Sequence, residues 1–551
     1  MHRVGLIPPG FARLVAGLLV STAWLATGVF GDDGSAADPF ARVALGDAAG
    51  AISTLGEAYR KGALDMRSAR LYQNLRIEAG QAGPLLEETK AAFPEPRAIP
   101  GQYLLARLSP RKEIDAAMQR LLPQLPDPGF ALLDQAWAAL DIENLPHALV
   151  LLPKVKKLVG ELEETVLFEA RLLEATGDRV PAERLLAAWC ASHPDAVDAR
   201  KAWIEELLAL RRDGDAAAAA EQALGRMRAP LFLVARAAVA IASRDFEHAR
   251  AWLDEAKDAG RPAIRAEANA LRAATKLAAR DVAGALVCAG AGLEASPRSV
   301  PALRALARVH EAMGKHVEAL TRLDEALVLR PGFAPLLADR GVVLHAVGQD
   351  KESKRSLAEA RKRDPGYLET ILYQGIMAEE EGDWVGAEKF YRALLKLDPE
   401  RIEAHRMLGG VLFTMGKIEA AGAEGLWIRE RDPKDAHAWF LTGRVELKND
   451  HLDEAIAAFD KSVEIEPKYA LGHTGRGWVL EEQQRPDDAK KAYLTAIASD
   501  PELPLPHRYL AELLEDQGNN PEAAKHFKAY LDLGGADPDE DVKHAVDRLS
   551  K

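Results

Sequence analysis

A proline recurs every 34 residues through the second half of this 551-residue chain. Inside a helix a proline loses a backbone hydrogen bond and clashes with the preceding turn, at a cost of about 3 kcal/mol, so it normally marks an element boundary. Seven prolines keep this interval without exception: Pro297, Pro331, Pro365, Pro399, Pro433, Pro467 and Pro501. The interval predicts one structural unit repeated many times, and not a single compact core.

The residues between two of these prolines predict a pair of helices. From Pro297 to Pro331, apolar residues follow a helical spacing around Leu303 and again around Leu323, with Gly314 between the two stretches. A glycine suits the left-handed turn that ends a helix. Later units have the equivalent residues Gly348, Gly382, Gly416, Asp450 and Gln484. Because a helical pair of this size cannot bury its apolar face alone, neighbouring pairs are expected to stack into a solenoid.

A very small residue stands 24 positions before each proline, where it would let two helix backbones approach closely. These residues are Ala273, Ala307, Gly341, Gly375, Gly409, Gly443 and Gly477. The unit that begins at Trp439 shows the full pattern, with Gly443, Ala455, Phe459 and Pro467. This unit resembles the tetratricopeptide repeat (TPR). The resemblance implies an all-α fold, a right-handed α-solenoid of stacked helix-turn-helix repeats.

The regularity of the 34-residue repeat changes along the chain, and these changes suggest where its domains begin and end. Residues 266–535 carry the regular 34-residue repeats, and residues 97–265 carry degenerate ones. Residues 38–96 are expected to form an N-terminal helical region that includes further degenerate repeats. Residues 536–551 are expected to form a C-terminal capping helix, with Asp537 as N-cap, Pro538 at the first helical position, and Val542 and Ala545 on its apolar face.

The N-terminus predicts export from the cytoplasm. Arg3 and Arg13 precede an uncharged stretch from Leu14 to Gly31, and acidic residues follow at once. Its length lies between that of a cleaved signal peptide and that of a spanning helix, so residues 1–37 are interpreted as an export signal or an N-terminal membrane anchor. Residues 14–31 would provide any attachment to the inner membrane. Since the positive flank stays inside, the repeats are placed in the cell envelope, either periplasmic or secreted, or anchored outside the cytoplasm.

Composition and motif content point to a protein without chemistry of its own. The formal net charge of −13 argues against general binding of nucleic acid phosphates. The sequence has no phosphate-binding GxxxxGK[ST], no HExxH, no paired CxxC and no GxSxG. Cys190 and Cys288 are expected to lie too far apart for a disulfide and to be small buried residues. We therefore expect no enzyme, no cofactor and no metal site.

The resemblance to TPR proteins also implies a binding surface, because the first helices of successive units line a concave groove in that family. Arginine and aromatic residues dominate binding hot spots, and arginine on an acidic protein suggests capture of a carboxylate or another anion. Alternatively, the aromatic residues are partly buried between units and the arginines pair with local glutamates. The candidate partner-binding residues are Arg304, Arg308, Arg406, Phe440, Arg444, Trp478 and Arg508.

Three functions remain open from the sequence. The first is a scaffold or adaptor in the cell envelope that binds a protein or peptide partner of unknown identity and assists assembly of an envelope, secretion or polysaccharide complex. The second is a regulatory or targeting subunit of a separate enzyme, although the repeats leave no room for a catalytic domain. The third is an RNA-binding helical repeat protein, which the 34-residue period and the acidic charge disfavour.

Overall fold

The computed structural model describes residues 39–44, 47–94, 99–109, 111–125, 127–535, 537 and 540–550, and every regular element in these residues is helical. The predicted all-α fold is confirmed. The predicted export signal or anchor lies outside the described residues. Within the described part of the chain, no helix has both the length and the apolar character needed to cross a membrane.

The chain forms two compact units that divide within one helix, between Thr370 and Ile371. The helices of the N-terminal unit are α1 Pro39–Ala44, α2 Ala48–Arg60, α3 Met66–Glu78, α4 Ala82–Ala92, α5 Ile99–Ala106, α6 Arg111–Leu121, α7 Gly129–Asp141, α8 Leu145–Val159, α9 Glu163–Thr176, α10 Arg179–Ser192, α11 Val197–Ala209, α12 Asp213–Arg226, α13 Pro230–Ala242, α14 Phe246–Ala256, α15 Pro262–Ala278, α16 Val282–Ala295, α17 Val300–Ala312, α18 His316–Leu329, α19 Ala334–Ala346 and α20 Asp350–Arg363. The unit boundary falls in α21, Leu368–Glu380.

The C-terminal unit continues the same alternation of helices. Its helices are α22 Trp384–Leu397, α23 Ile402–Thr414, α24 Ile418–Arg431, α25 Ala436–Lys448, α26 Leu452–Ile465, α27 Ala470–Glu482, α28 Pro486–Ser499, α29 Pro504–Asp516, α30 Asn520–Asp532 and α31 Asp541–Leu549.

Consecutive helices pack as pairs, and each second helix also packs against the first helix of the next pair, as α16 does against α17 and α24 against α25. Several first helices contact one another as well. Helix α15 packs against α16, α19 against α20 and α25 against α26, while α15 also contacts α17 and α25 contacts α27. Each second helix from α16 to α28 ends two residues before its proline, as the sequence predicts. The stack is therefore the α-solenoid that the sequence predicts.

The turn within each pair has the predicted left-handed backbone. Gly314, Gly348 and Gly416 have φ angles of 70°, 77° and 74°. Asp450 and Gln484 occupy the same turn with φ angles of 64° and 58°, although neither is a glycine. The turn geometry is thus a property of the repeat, and these two residues adopt it against their own backbone preference.

The last helix begins later than the sequence predicts. Helix α31 starts at Asp541, and Glu540 precedes it with a left-handed φ of 56°. The predicted first helical position, Pro538, lies outside the described residues. Asp537 still stabilises the first turn, because its Oδ1 accepts a hydrogen bond from the Val542 amide at 3.0 Å. The predicted apolar face is confirmed, since Val542 and Ala545 are buried against the preceding repeat.

The N-terminal unit closes on itself through contacts between residues far apart in sequence. Arg179 pairs with Asp364 at 3.1 Å, and Arg363 donates a hydrogen bond to Glu143 at 2.8 Å. Helix α3 contacts α15, and a Cβ added at Gly80 would lie only 2.9 Å from Pro297. These contacts bring the later repeats of this unit back against its earlier ones, and the repeat pattern alone did not predict them.

Candidate functional site

The seven candidate binding residues all lie on first helices of their pairs. Arg304 and Arg308 belong to α17 in the N-terminal unit. The others lie in the C-terminal unit: Arg406 on α23, Phe440 and Arg444 on α25, Trp478 on α27 and Arg508 on α29. Since α23, α25 and α27 pack side by side, their residues at equivalent positions form neighbouring rows.

Arg304 and Arg308 are unavailable to a partner in this structure. Arg304 is fully buried, and its Nε donates to Asp339 Oδ2 at 2.6 Å, while its Nη2 donates to the Tyr367 hydroxyl at 2.8 Å. Arg308 donates to the other oxygen of Asp339 at 2.7 Å. The two guanidinium groups hold the pKa of Asp339 below its usual value despite the opposing effect of burial. The expectation that these two arginines face a groove is therefore corrected, because both are part of an internal ion cluster.

Two further arginines already have a carboxylate partner. Arg406 Nε donates to Asp435 Oδ2 at 2.7 Å, and the Asp435 side chain is fully buried. Arg508 Nε donates to Glu512 one helical turn away at 2.9 Å. Pairing with a local glutamate was the alternative that the sequence left open, and it describes Arg508. Arg406 pairs instead with the aspartate that precedes α25.

Arg444 differs from the other arginines because it has no carboxylate partner. Its guanidinium carbon lies 3.9 Å from the ring centre of Phe413 and 5.7 Å from that of Phe440. Among the described residues it makes no hydrogen bond and no ion pair. Burial lowers the pKa of Arg444 from its usual value, as expected for a cation that loses water without gaining an anion.

Aromatic rings surround this guanidinium on neighbouring helices. Phe440 lies in the core at 3% exposure, with its ring centre 6.2 Å from that of Trp478 and 6.0 Å from that of Tyr469. Trp478 in turn contacts Tyr509 edge to face at 5.3 Å. The buried Nε1 of Trp478 has no acceptor among the described residues. We call Phe413, Phe440, Arg444, Tyr469, Trp478 and Tyr509 the Arg444 cluster.

A histidine beside the Arg444 cluster carries no charge at neutral pH. His437 lies beside it, with its Nδ1 2.8 Å from the Tyr469 hydroxyl. Burial lowers the pKa of His437 to about 4, and the nearby cations Arg406 and Arg444 lower it further. His437 is therefore neutral at pH 7, and the carboxylate that acts on it, Asp435, already pairs with Arg406.

The Arg444 cluster combines groups that can bind a ligand. A guanidinium offers planar, paired donors that match a carboxylate, and the aromatic rings offer an apolar surface beside it. Among the residues that the structure describes, no three His, Cys, Asp or Glu side chains are arranged to hold a metal ion. The chemistry of the Arg444 cluster is recognition of an anion next to an apolar group.

The sequence identified three members of this cluster and missed the other three. Phe440, Arg444 and Trp478 lie on the predicted rows, whereas Phe413 and Tyr509 occupy other positions of their first helices. Tyr469 lies in the connection before α27, two residues after a repeat proline. A search for aromatic residues at every position of the repeat, including the connections, would have found them.

Comparisons with known proteins agree with the repeat assignment. The family model described as tetratricopeptide repeat matches residues 406–470 and 474–540. The solved structure of the APC/C hetero-tetramer Cut9–Hcn1 aligns over 90% of this chain and 99% of its own, with 13% identity and a TM-score of 0.53, which supports the fold alone. A comparison with curated proteins finds no match.

Two further solved structures align less well and support no argument beyond this. A tetratricopeptide repeat protein from Parabacteroides merdae ATCC 43184 covers 46% of this chain and 99% of its own, with 18% identity and a TM-score of 0.41. Yeast Tom70 covers 77% of this chain and 95% of its own, with 14% identity and a TM-score of 0.37. The repeats support a protein-protein interaction scaffold, and the fold is typical of non-catalytic proteins. The family match assigns residues 406–470 and 474–540 to the tetratricopeptide repeat, and the 34-residue helical pairs that precede them share its helix-turn-helix architecture.

Proposed function

We propose that this protein is a scaffold of the cell envelope that binds an acidic segment of a partner protein through the Arg444 cluster. The partner supplies a carboxylate to Arg444 and an adjacent apolar or aromatic side chain to the rings of Phe413 and Trp478. By holding such segments, the protein assists assembly of an envelope, secretion or polysaccharide complex.

The observation that carries this proposal is the absence of an anion at Arg444. Arg304, Arg308, Arg406 and Arg508 each have a carboxylate within hydrogen-bond distance, whereas Arg444 lies against two aromatic rings and has no carboxylate partner among the described residues. A partly desolvated cation is costly unless a charge partner compensates it. A carboxylate from a partner would provide that compensation.

The binding proposal can be tested with synthetic peptides. We would measure fluorescence polarisation of short labelled peptides that place Phe beside Glu, and of matched peptides in which Gln replaces each Glu. The Glu peptides should bind, and Arg444→Gln should weaken them about ten- to a hundredfold, the range expected for loss of a charged hydrogen bond. Equal binding of Glu and Gln peptides would reject the proposal.

A matched control separates binding from folding. Arg392 lies on a second helix, is about half exposed and pairs with Glu388 at 2.9 Å. Arg392→Gln makes the same chemical change away from the Arg444 cluster and should leave peptide binding unchanged. Circular dichroism should show the same helical content for both variants.

The location of the protein needs its own experiment. The predicted export segment supports the envelope assignment through its basic flank and its apolar length. Protease added to cells with a permeabilised outer membrane should degrade the repeats, and protease added to intact cells should not. Repeats that stay protected until the inner membrane is opened would overturn the envelope assignment and leave the peptide-binding proposal intact.

A further inference from the structure

A cavity of about 890 Å³ lies inside the N-terminal unit. The helices α3, α7, α9 and α11 form one wall, and residues 296–300 and 328–331, in or next to two connections between helical pairs, form the opposite wall. Its volume falls in the range of about 300 to 1,000 Å³ that is typical of ligand sites. None of the seven candidate binding residues lines it, so it is distinct from the Arg444 cluster.

The walls of this cavity are mainly apolar, with an excess of acidic over basic residues. Ile77, Trp137, Ile142, Leu167 and Leu329 provide apolar surface. The acidic lining residues are Glu78, Glu113, Asp134, Asp141, Glu174, Glu205 and Glu206, and the basic ones are Arg107, Arg171, Arg298 and Arg330. An apolar enclosure with this charge balance favours an apolar ligand that carries positive charge.

The excess of negative charge is concentrated where α9 meets α11. Lys201 pairs with two carboxylates. Its Nζ donates a hydrogen bond to Glu205 and lies 3.2 Å from a carboxylate oxygen of Glu267. Arg179 pairs with three carboxylates. Its guanidinium nitrogens lie 3.1 Å from Glu206, 3.1 Å from Asp364 and 3.5 Å from Glu174, each measured to a carboxylate oxygen.

Two further arginines complete this group. Arg171 hydrogen-bonds Glu174, and Arg330 lies 3.8 Å from the same carboxylate while its guanidinium covers the ring of Phe333. In these contacts five carboxylates share four cations. Burial raises the pKa of Glu205 to about 8 and that of Glu206 to about 7, and the neighbouring carboxylates Glu267 and Glu174 contribute. With these pKa values, Glu205 and Glu206 are partly protonated at neutral pH.

The cavity wall also contains a buried side-chain amide, that of Asn74, whose NH₂ group has no acceptor among the described residues. Asn74 is 7% exposed, and its Oδ1 accepts a hydrogen bond from Arg107 Nη2 at 2.7 Å. Because arginine can only donate, this contact fixes the amide orientation and leaves Nδ2 as a donor. No described residue accepts from the buried Nδ2. An acceptor on a ligand would satisfy it.

We propose that this cavity binds an organic amine, with its ammonium group against Glu205 and Glu206 and its apolar body along Leu167, Ile142 and Leu329. A hydrogen-bond acceptor on the ligand is directed to Asn74. The amine belongs either to a small molecule or to a lysine side chain of a peptide, and the two sources share the same cationic group on an apolar stem. Binding adds a positive charge beside Glu205 and Glu206 and lets them release protons.

Calorimetry on the full-length chain tests this proposal with defined probes. Octylammonium should bind, and octanoate, which has the same chain length and the opposite charge, should not. Because the bound cation favours ionised carboxylates, the octylammonium affinity should rise between pH 6 and pH 8, and binding at pH 7 should release protons. Proton release would appear as a difference in binding heat between phosphate and Tris buffers. Equal binding of octanoate and octylammonium would overturn the proposal.

Substitutions locate the site. Glu205→Gln with Glu206→Gln should weaken octylammonium binding at least tenfold, and the variant should fold because Gln resembles the protonated carboxyl already present. Ala202 lines the cavity, so Ala202→Phe should block binding by filling it. Glu247→Gln, an exposed change on α14, is the matched control and should bind normally. Normal affinity in the double Gln variant would reject the assignment.

The source of the amine is decided by a second pair of probes. A capped Leu-Lys-Leu peptide is compared with octylammonium, and a capped Leu-Gln-Leu peptide serves as the neutral control. Tighter binding of the lysine peptide supports a protein ligand, and tighter binding of octylammonium supports a small amine. If neither cation binds, the proposal fails, and the Arg444 proposal is unaffected because it concerns the other unit.

Discussion

Gly477 and Tyr493 are in such close contact that a Cβ on Gly477 would lie 2.2 Å from Cε1 of the tyrosine ring. The ring is fully buried between α27 and α28, so it cannot move aside without disturbing the pair. Gly477→Ala should therefore destabilise the protein by about 1–3 kcal/mol, the usual cost of overpacking. Urea denaturation followed by circular dichroism would measure this change.

The same substitution at Gly410 provides the control. Gly410 lies inside α23, and a Cβ there would have nothing within 4 Å. Since alanine is the better helix former, Gly410→Ala should stabilise the protein by about 1 kcal/mol. If both variants shifted the free energy of unfolding in the same direction, close packing would not explain why small residues recur at this position of every 34-residue repeat.

The buried ion cluster around Asp339 should be essential for the stability of the N-terminal unit. Asp339→Asn leaves the buried Arg304 and Arg308 without their shared carboxylate. Removing one partner of a buried ion pair costs about 3–5 kcal/mol. The control is Asp324→Asn, which breaks the exposed pair with Arg340 and should change stability by less than about 1 kcal/mol. Similar urea midpoints for the two variants would contradict the structural role assigned to Asp339.

The left-handed turn at Gln484 offers a route to a more stable protein. Gln484 is exposed and has a φ of 58°, a conformation that costs a non-glycine residue about 1–2 kcal/mol. Gln484→Gly should raise stability by up to about 1 kcal/mol, less than the strain itself because glycine is more flexible in the unfolded chain. The reverse change, Gly382→Ala at a φ of 75° with open space around it, should lower stability by a similar amount. A melting temperature that falls in Gln484→Gly would show that the turn is not strained.

Both cysteines should be inert in the folded protein. Cys190 and Cys288 are buried and make no disulfide with each other. Burial raises the pKa of Cys190 to about 12, so at pH 8 only about one molecule in ten thousand carries the reactive thiolate. Ellman's reagent should detect no fast-reacting thiol in the native protein and two after denaturation in urea. Rapid native labelling would place one of them at a surface.

The 34-residue period predicted the positions of the helices well because they are determined by residues within each repeat. The proline and glycine positions of each 34-residue unit determine where its helices end, and helices α16 to α28 end as those positions predict. The sequence also favoured first helices as binding elements, which is where Arg444 and Trp478 lie. Whether these residues bind a partner remains a prediction.

The contacts between distant repeats could not be predicted in the same way. Arg179 meets Asp364 across 185 positions of sequence because small rotations at each interface add up, and no single unit encodes their sum. Whether an individual arginine has a carboxylate partner also depends on residues of neighbouring repeats. Arg308 pairs with Asp339 of the next repeat, whereas Arg444, at the same position of its own repeat, lies against the rings of Phe413 and Phe440.

The carboxyl of Glu205 should make stability fall as the pH rises. Its pKa is about 8 in the folded protein because of burial, against about 4.5 when exposed, so between these values only the folded state holds this proton. The proton on Glu205 makes its full contribution to the free energy of unfolding below about pH 4.5. That contribution falls by about 1.4 kcal/mol per pH unit as the pH rises and is lost as the pH approaches 8. Asp134 has the opposite shift, with a pKa lowered to about 2 by Arg107 and Arg70 against the effect of burial, so its contribution is already complete above about pH 4.

Glu205→Gln isolates this effect, because glutamine mimics the protonated carboxyl and does not titrate. The variant should match the parent protein near pH 5 and exceed it in stability at pH 8.5. Urea midpoints at pH 5.5, 7 and 8.5 would measure the difference, with Glu247→Gln as a surface control that follows the parent at every pH. If the variant and the parent lost stability in parallel, Glu205 would titrate normally, and the acidic group in the cavity would already have its full complement of cations.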